Sequence, residues 1–179
     1  YDYISFLNND KAIVNNGEFY GIINRNNEVI VPIEYENITE VVGNYFIVYT
    51  ANDGCILYSL KGIKKASYDF ISSAFADDIF IVMKSDKYGY INGEGNVIIP
   101  IIYDYVSSFS DGFASVLPAN SDTPVIINTK GEIVIEEAKY AFCFTDTIKS
   151  LGIVMTHDAQ FLGLDKKVKS LSVDLRSKL

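Results

Sequence analysis

The chain has no tryptophan, one histidine, two cysteines and few prolines, and each scarcity closes off a class of chemistry. His157 alone cannot supply a histidine-rich metal site. Cys55 and Cys143 form no CxxC pair and have no second histidine nearby, so zinc and dithiol redox motifs are missing. Both cysteines lie in apolar stretches (Gly54-Cys55-Ile56-Leu57 and Phe142-Cys143-Phe144) and read as small buried hydrophobes rather than a disulfide or a reactive thiol. No apolar run approaches the roughly 18 residues of a membrane span. Basic charge is also short. Lys and Arg number 15 against 23 Asp and Glu, and the net charge is −8. Phosphate recognition draws on clustered Lys and Arg, and the one cluster here is Lys166, Lys167 and Lys169, so nucleic acid and anionic lipid are disfavoured as partners. The sequence opens at Tyr1 without Met, a basic region or an apolar leader, which suggests a processed or excised piece and leaves the compartment open. The final Ser177-Lys178-Leu179 matches a peroxisomal address, a tripeptide that also recurs by chance.

What remains is ordinary globular material. Hydrophobic residues make up 49% and charged residues 21%, enough to build a core and too apolar for a disordered chain, so residues 1–179 are expected to form one domain. Within it a short apolar run ending in valine recurs. It is Ala12-Ile13-Val14, Phe46-Ile47-Val48, Phe80-Ile81-Val82, Ala114-Ser115-Val116 and Gly152-Ile153-Val154, at intervals of 34, 34, 34 and 38 residues. Such a period marks a tandem repeat.

A second run follows each valine and ends in Asn24, Ser59, Asn92, Asn128 or Asp165. These side chains can accept a hydrogen bond from the backbone two residues on. Three residues after the first four stand Asn27, Gly62, Gly95 and Gly131, residues tolerant of positive φ. A short hairpin is therefore expected at each. The fifth copy lacks the glycine and looks shortened. A third, β-branched run comes next (Val29-Ile30-Val31-Pro32, Ile63-Lys64-Lys65, Val97-Ile98-Ile99-Pro100, Ile133-Val134-Ile135, Val168-Lys169-Ser170-Leu171). Pro32 and Pro100 remove ladder donors, so this run should end there or lie on an edge. A Tyr-acid step and then a loop lead to the next unit.

The pattern predicts an all-β protein of five three-stranded antiparallel units, approximately residues 10–43, 44–77, 78–111, 112–147 and 148–175. Runs such as Tyr45 to Tyr49 and Ile79 to Met83 are apolar at consecutive positions, so their strands are expected to be covered on both faces, with units stacked sheet on sheet. The favoured arrangement is a small propeller-like ring, and the alternative is an open curved, solenoid-like array. Tyr1-Asp2-Tyr3-Ile4-Ser5 matches the tail of a unit (compare Tyr103-Asp104-Tyr105-Val106-Ser107). Residues 1–6 are thus a closing or flanking segment, and in the ring they would pair with Val168 to Asp174.

Tyr88-Gly89-Tyr90-Ile91-Asn92 through Gly95, Val97-Ile98-Ile99-Pro100, Tyr103-Asp104, Phe109 and Gly112 to Val116 resemble one WG repeat. Tyr20-Gly21 through Pro32 and Tyr35-Glu36 resemble a second. The family is named for Trp-Gly, and Tyr replaces Trp here at 20 and 88. The resemblance implies a mostly bacterial β repeat used as an interaction module, with no catalytic residues to carry over.

Candidate chemistry is thin. His157 and Asp158 are adjacent, so on a strand their side chains diverge and make no dyad. The same holds for Asp77-Asp78 and Glu136-Glu137 as a glycosidase pair. No Asp-x-Asp-x-Asp calcium loop occurs, and Asn92-Gly93-Glu94-Gly95 is a hairpin turn rather than a phosphate cradle. Of 13 tyrosines, the repeating Tyr35, Tyr68, Tyr103 and Tyr140 suit a structural lock. Tyr45, Tyr49, Tyr58 and Tyr90 do not repeat and are the candidate ligand-binding residues, because a ligand would be read by what differs between units. The expected function is a non-catalytic scaffold binding another protein, without metal or cofactor. The alternative is a lectin-like binder of carbohydrate or a small ligand.

Overall fold

The structure, a computed structural model, describes residues 1–7, 10–50, 54–76, 78–110 and 112–136, and the strand backbones at 140–142, 152–155, 160–162 and 168–170. Every regular element among them is a β-strand. The first sheet holds β1 (Tyr3–Leu7), β2 (Lys11–Asn15), β3 (Tyr20–Asn24) and β4 (Val29–Tyr35), and the second holds β5 (Asn37–Val42), β6 (Tyr45–Thr50), β7 (Gly54–Ser59) and β8 (Lys64–Tyr68). A continuous third sheet runs β9 (Phe70–Ala76), β10 (Ile79–Lys84), β11 (Lys87–Asn92), β12 (Val97–Val106), β13 (Phe113–Pro118), β14 (Val125–Asn128) and β15 (Ile133–Ile135). The last sheet is β16 (Tyr140–Phe142), β17 (Gly152–Met155), β18 (Gln160–Leu162) and β19 (Val168–Ser170). All pairs are antiparallel, in chain order.

Two expectations need correction. The unit has four strands, because the chain after each Tyr-acid step pairs with the next valine run instead of looping: Ile38 opposes Val48, Ile71 opposes Val82 and Val106 opposes Val116. By this pattern the seven-stranded sheet is two units sharing β12, whose first half closes the third unit and whose second half opens the fourth. The second correction concerns residues 1–6. They do match a unit's tail, but β1 pairs with β2 (Ile4 opposite Val14), and β19 pairs with β18 rather than β1. The opening strand completes its own sheet. It does not close a ring against Val168.

The hairpins follow their sequence signal. Asn24, Asn92 and Asn128 each accept through Oδ1 from the backbone two residues on, at 2.9, 3.1 and 2.9 Å. Asn27, Gly62, Gly95 and Gly131 all have positive φ. Each hairpin is followed by a bulge, so that Ile30, Lys65, Ile98 and Val134 lie between paired residues. Gly62 and Gly95 press against the bulge carbonyls of the preceding unit, Ile30 and Lys65, where a Cβ would collide with the oxygen. The first hairpin carries Asn27 in the same place.

Alternation sorts the side chains onto two faces. One points forward to the next unit and one backward. Ile22, Val31 and Tyr35 of the first unit pack on Ile38, Phe46, Val48, Ile56 and Tyr58 of the second. Tyr45, Ile47, Cys55 and Leu57 pack on Ile71, Phe80, Val82 and Ile91 of the third. Ile81, Tyr90 and Ile99 then pack on Val106, Ala114, Val116, Val125 and Ile127 of the fourth. Sheet-on-sheet stacking is the core of the described molecule, and burial of each large side chain contributes roughly 1.5–3 kcal/mol.

One backward-facing position is filled in two ways. In the second unit Ile56 fills it directly, opposite Ser67 alone. In the third unit that place is Gly89, and three residues (Pro100, Ile101 and Ile102) lie between the partners of Tyr88 and Tyr90. A Cβ on Gly89 would lie 2.7 Å from both Ile101 Cα and the Pro100 carbonyl oxygen. The bulge passes over the glycine and delivers Ile101 to the core behind the third unit, as Ile56 enters the core behind the second from its own strand. Gly21 with Pro32 and Ile33 repeats the device in the first unit. The prolines therefore do not end their strands: they sit in bulges, where a missing N–H costs no ladder bond.

Opposite substitutions at this position should both destabilise. Gly89→Ala overpacks a backbone contact and is expected to cost roughly 1–3 kcal/mol, whereas Ile56→Ala leaves a cavity and costs roughly 2–5 kcal/mol. Urea unfolding midpoints of the two variants check both.

Candidate functional site

The non-repeating tyrosines lie between the units. Tyr58 is 7% exposed, and its hydroxyl meets that of Tyr35 at 2.6 Å, joining the second unit to the first. The Tyr45 ring stands edge-on to Phe80 of the third unit, centroids 5.3 Å apart. Tyr90 is fully buried against Phe109, at 4.9 Å, and donates to the Ser107 carbonyl at 2.7 Å. Tyr49 is half-buried at the same core as Tyr45. Tyr45, Tyr58 and Tyr90 therefore offer no ring face to a ligand where they stand. They differ between units because each interface has to complement a different neighbour. The repeating tyrosines do behave as locks: Tyr35 is buried, and Tyr68 and Tyr103 are half-buried against the interfaces. Tyr140 has only its strand backbone described.

The other chemical candidates assemble nothing. Cys55 is buried and free, and burial pushes its thiol pKa up, against the hydrogen bonds of the Ile71 backbone and Tyr49. Asp78 and Glu136 are exposed, while Asp77, Glu137, Cys143, His157 and Asp158 fall outside the described residues. Among the described residues no group of three His, Cys, Asp or Glu could hold a metal. No helix of the described residues is long and apolar enough to cross a membrane.

Exposed apolar surface gathers instead on the first sheet. Tyr1, Tyr3, Ile4 and Phe6 are four of the ten exposed large hydrophobics among the described residues, all within six residues. Pairing places Phe6, Ala12, Ile23 and Val29 in one row across the four strands, on the backward face. Ala12, Val14 and Ile23 form the buried middle of that face, with Ile33 packed on them from its bulge. The flanks are open: Phe6 is 86% exposed and Ile4 47%, whereas Ile38, Ile71 and Val106, which occupy the place of Ile4 in later units, are at most 7% exposed. A cleft of about 430 Å³ lies here, with Ile4, Phe6, Ala12 and Ile23 in its wall. Phe46 and Phe80 stand on later strands where β2 has the smaller Ala12, as β13 has Ala114. The rim is polar, with Arg25 3.6 Å from Asp10. An edge strand bearing apolar residues on an open face suits macromolecular contact better than small-molecule chemistry. Periodicity could not reveal this surface, because only comparison of burial between equivalent positions exposes it.

The buried tyrosines generate a titration signature. Burial holds the phenols of Tyr35 and Tyr90 well above the usual tyrosine range, and the hydrogen bond to Tyr58 adds to the effect at Tyr35. The folded state keeps these protons after the unfolded chain loses them, so stability is level below about pH 10 and falls as pH rises beyond it. Unfolding free energy against pH, with phenolate absorbance, measures this. Tyr58→Phe strands the Tyr35 hydroxyl and should cost roughly 1–3 kcal/mol, much of it recovered in the double Tyr35→Phe, Tyr58→Phe variant.

Comparison with known proteins agrees with the unit design. The family model described as WG containing repeat matches residues 20–52 and 88–117, which begin at Tyr20-Gly21 and Tyr88-Gly89 and contain the two proline bulges. No curated protein matches the chain. Among solved structures, the computationally designed Ika8 protein is 15% identical with a TM-score of 0.41, covering 95% of this chain, which spans 57% of the length of Ika8. The designed Ika4 protein is 13% identical with a TM-score of 0.40, over 81% of this chain and 99% of its own. Hsv2 of Kluyveromyces lactis is 11% identical with a TM-score of 0.34, over 88% of this chain and 58% of its own. With a matched motif whose glycine and proline have a defined structural task in the first and third units, the chain carries two WG-containing repeats, at residues 20–52 and 88–117.

Proposed function

We propose that this chain is a non-catalytic repeat scaffold that binds another protein. The observation carrying the reading is the division of labour among its side chains. Residues shared by the units, and Tyr45, Tyr58 and Tyr90 among those that differ, are used to stack sheet on sheet, while the first strand keeps apolar side chains exposed on both faces, Ile4 and Phe6 on one and Tyr3 on the other. Exposed apolar side chains gathered on one strand are a contact surface. For the arrangement of the sheets we favour the open curved array over the ring. The pairing of β1 with β2 and the exposure of Ile4 and Phe6 support it.

The lectin-like alternative draws on fewer residues, since of its candidate tyrosines Tyr45, Tyr58 and Tyr90 are buried. A photo-cross-linking residue in place of Tyr3 is expected to capture protein, and a glycan array is expected to stay silent. Saturable glycan binding that disappears with Tyr1→Ala, Tyr3→Ala or Tyr105→Ala would establish the lectin instead. Turnover of a hydrolase substrate, lost on replacing a single carboxylate, would establish an enzyme.

A further inference from the structure

We infer that the cleft beside β1 is the anchor point of the contact, and that it takes a bulky apolar side chain of the partner protein standing next to a carboxylate. The inference rests on the scaffold reading and gives the partner's segment its chemistry.

The wall of the cleft selects the apolar group. The middle of the backward face, at Ala12, Val14 and Ile23, is already buried, and the opening lies at its flank, along β1. There Ile4 is 47% and Phe6 86% exposed, whereas the residues in the place of Ile4 in later units are covered. A space of about 430 Å³ walled by Ile4, Phe6 and Ala12 has the size that holds a small ligand or a few side chains, and it does not admit a sheet face. One large side chain set in such a hollow is how a protein contact is usually anchored.

The rim selects the charge. The first hairpin is held by Asn24, whose Oδ1 accepts from the backbone of Asn26 and Glu28, both at 2.9 Å. The Arg25 backbone N–H donates to the Asp10 carbonyl at 3.0 Å, which fixes Arg25 at the cleft. The residues that follow Ser59, Asn92 and Asn128 in the next three units are Leu60, Gly93 and Thr129, so a cation in this place is peculiar to the first of these four units. Leu60 uses the position to pack on the preceding unit. Arg25 instead meets Asp10 through Nη1 at 3.6 Å, with both side chains largely exposed. Such a pair contributes little in water, and the guanidinium keeps donors for a planar carboxylate. Lys11 also lines the cleft, so two cations stand there against one acid. Lys11 and Arg25 are the only bases of residues 1–60, which hold eight Asp and Glu. An acidic segment is thus repelled over most of this end of the molecule and attracted at the cleft, which orients it.

Fluorescence titration of the full chain with two probes reads the wall and the rim separately. Anilinonaphthalene sulfonate has an apolar body and one anionic group, and N-phenylnaphthylamine has the body without the charge. Each is expected to bind saturably. Phe6→Ser should weaken both about tenfold, and its melting temperature should not change because Phe6 is exposed. Arg25→Gln should weaken only the sulfonate, about two- to fivefold, and reduce the salt dependence of its binding. Ile102→Ser, at an exposed site on the third sheet, should bind as the wild type does. A blocked hexapeptide of alternating phenylalanine and glutamate is then expected to displace the sulfonate, and the same peptide with lysine for glutamate is not. Absence of saturable binding overturns the inference, as does sulfonate binding indifferent to either Phe6→Ser or Arg25→Gln. Equal displacement by the two peptides removes the carboxylate and overturns it as well. Probe binding that neither peptide displaces leaves a site for small organic anions, and the partner's anchor falls. In each of these cases a foreign protein cross-linked at Tyr3 keeps the scaffold reading.

Discussion

A single sheet cannot cover its own apolar faces, and the need to cover both of them governs the other choices in the sequence. An apolar sheet face left in water is unfavourable in proportion to its area. Here the middle strands are apolar on both sides, as in Phe46-Ile47-Val48 and Phe80-Ile81-Val82, so a unit is stable only between neighbours. That explains why the core of the described residues divides into clusters lying between successive units, with smaller ones on the backward face of the first and the forward face of the fourth. It also explains why aromatic contacts cross each boundary: Tyr35 with Tyr58, Tyr45 with Phe80 and Tyr90 with Phe109.

The family motif can be understood from the same constraint. A backward-facing place next to the tyrosine step must hold a branched aliphatic side chain. The second and fourth units put Ile56 and Val125 there, while the first and third leave a glycine and bring Ile33 or Ile101 over it on a proline-bearing bulge. Glycine and proline then go together because the bulge needs a partner without Cβ and a residue that gives up no ladder bond. A unit with neither has the shorter last strand, as Lys64–Tyr68 beside Val29–Tyr35 shows. The two forms of the unit are two solutions to one packing requirement, and the family match at two places in the chain follows that division.

Much of the local structure was legible in advance. Period, hairpin positions, the Asn-capped turns and the positive-φ residues are set by neighbours within a few positions, so Asn24, Asn92 and Gly95 could be read directly. The fourth strand was not, because segments such as Phe70–Ala76, with Ser72, Ser73 and Ala74, become strands only by pairing with an apolar partner. The tyrosines show the same limit on the functional side. Variation between units marked Tyr45, Tyr58 and Tyr90 as ligand candidates, yet variation is also what mutually complementary interfaces require.

By itself the sequence determined an all-β tandem repeat, its period, its turns and its kinship, since those depend on residue type and spacing along one strand or hairpin. Tertiary structure decided that the unit has four strands, that β1 belongs to the first sheet and that Tyr45, Tyr58 and Tyr90 are internal. It also decided that Ile4 and Phe6 stand open where Ile38, Ile71 and Val106 are covered. The physical reason is that equivalent residues in a repeat have the same sequence environment but different neighbours in space. Burial is a property of the neighbour, and only the folded chain supplies it.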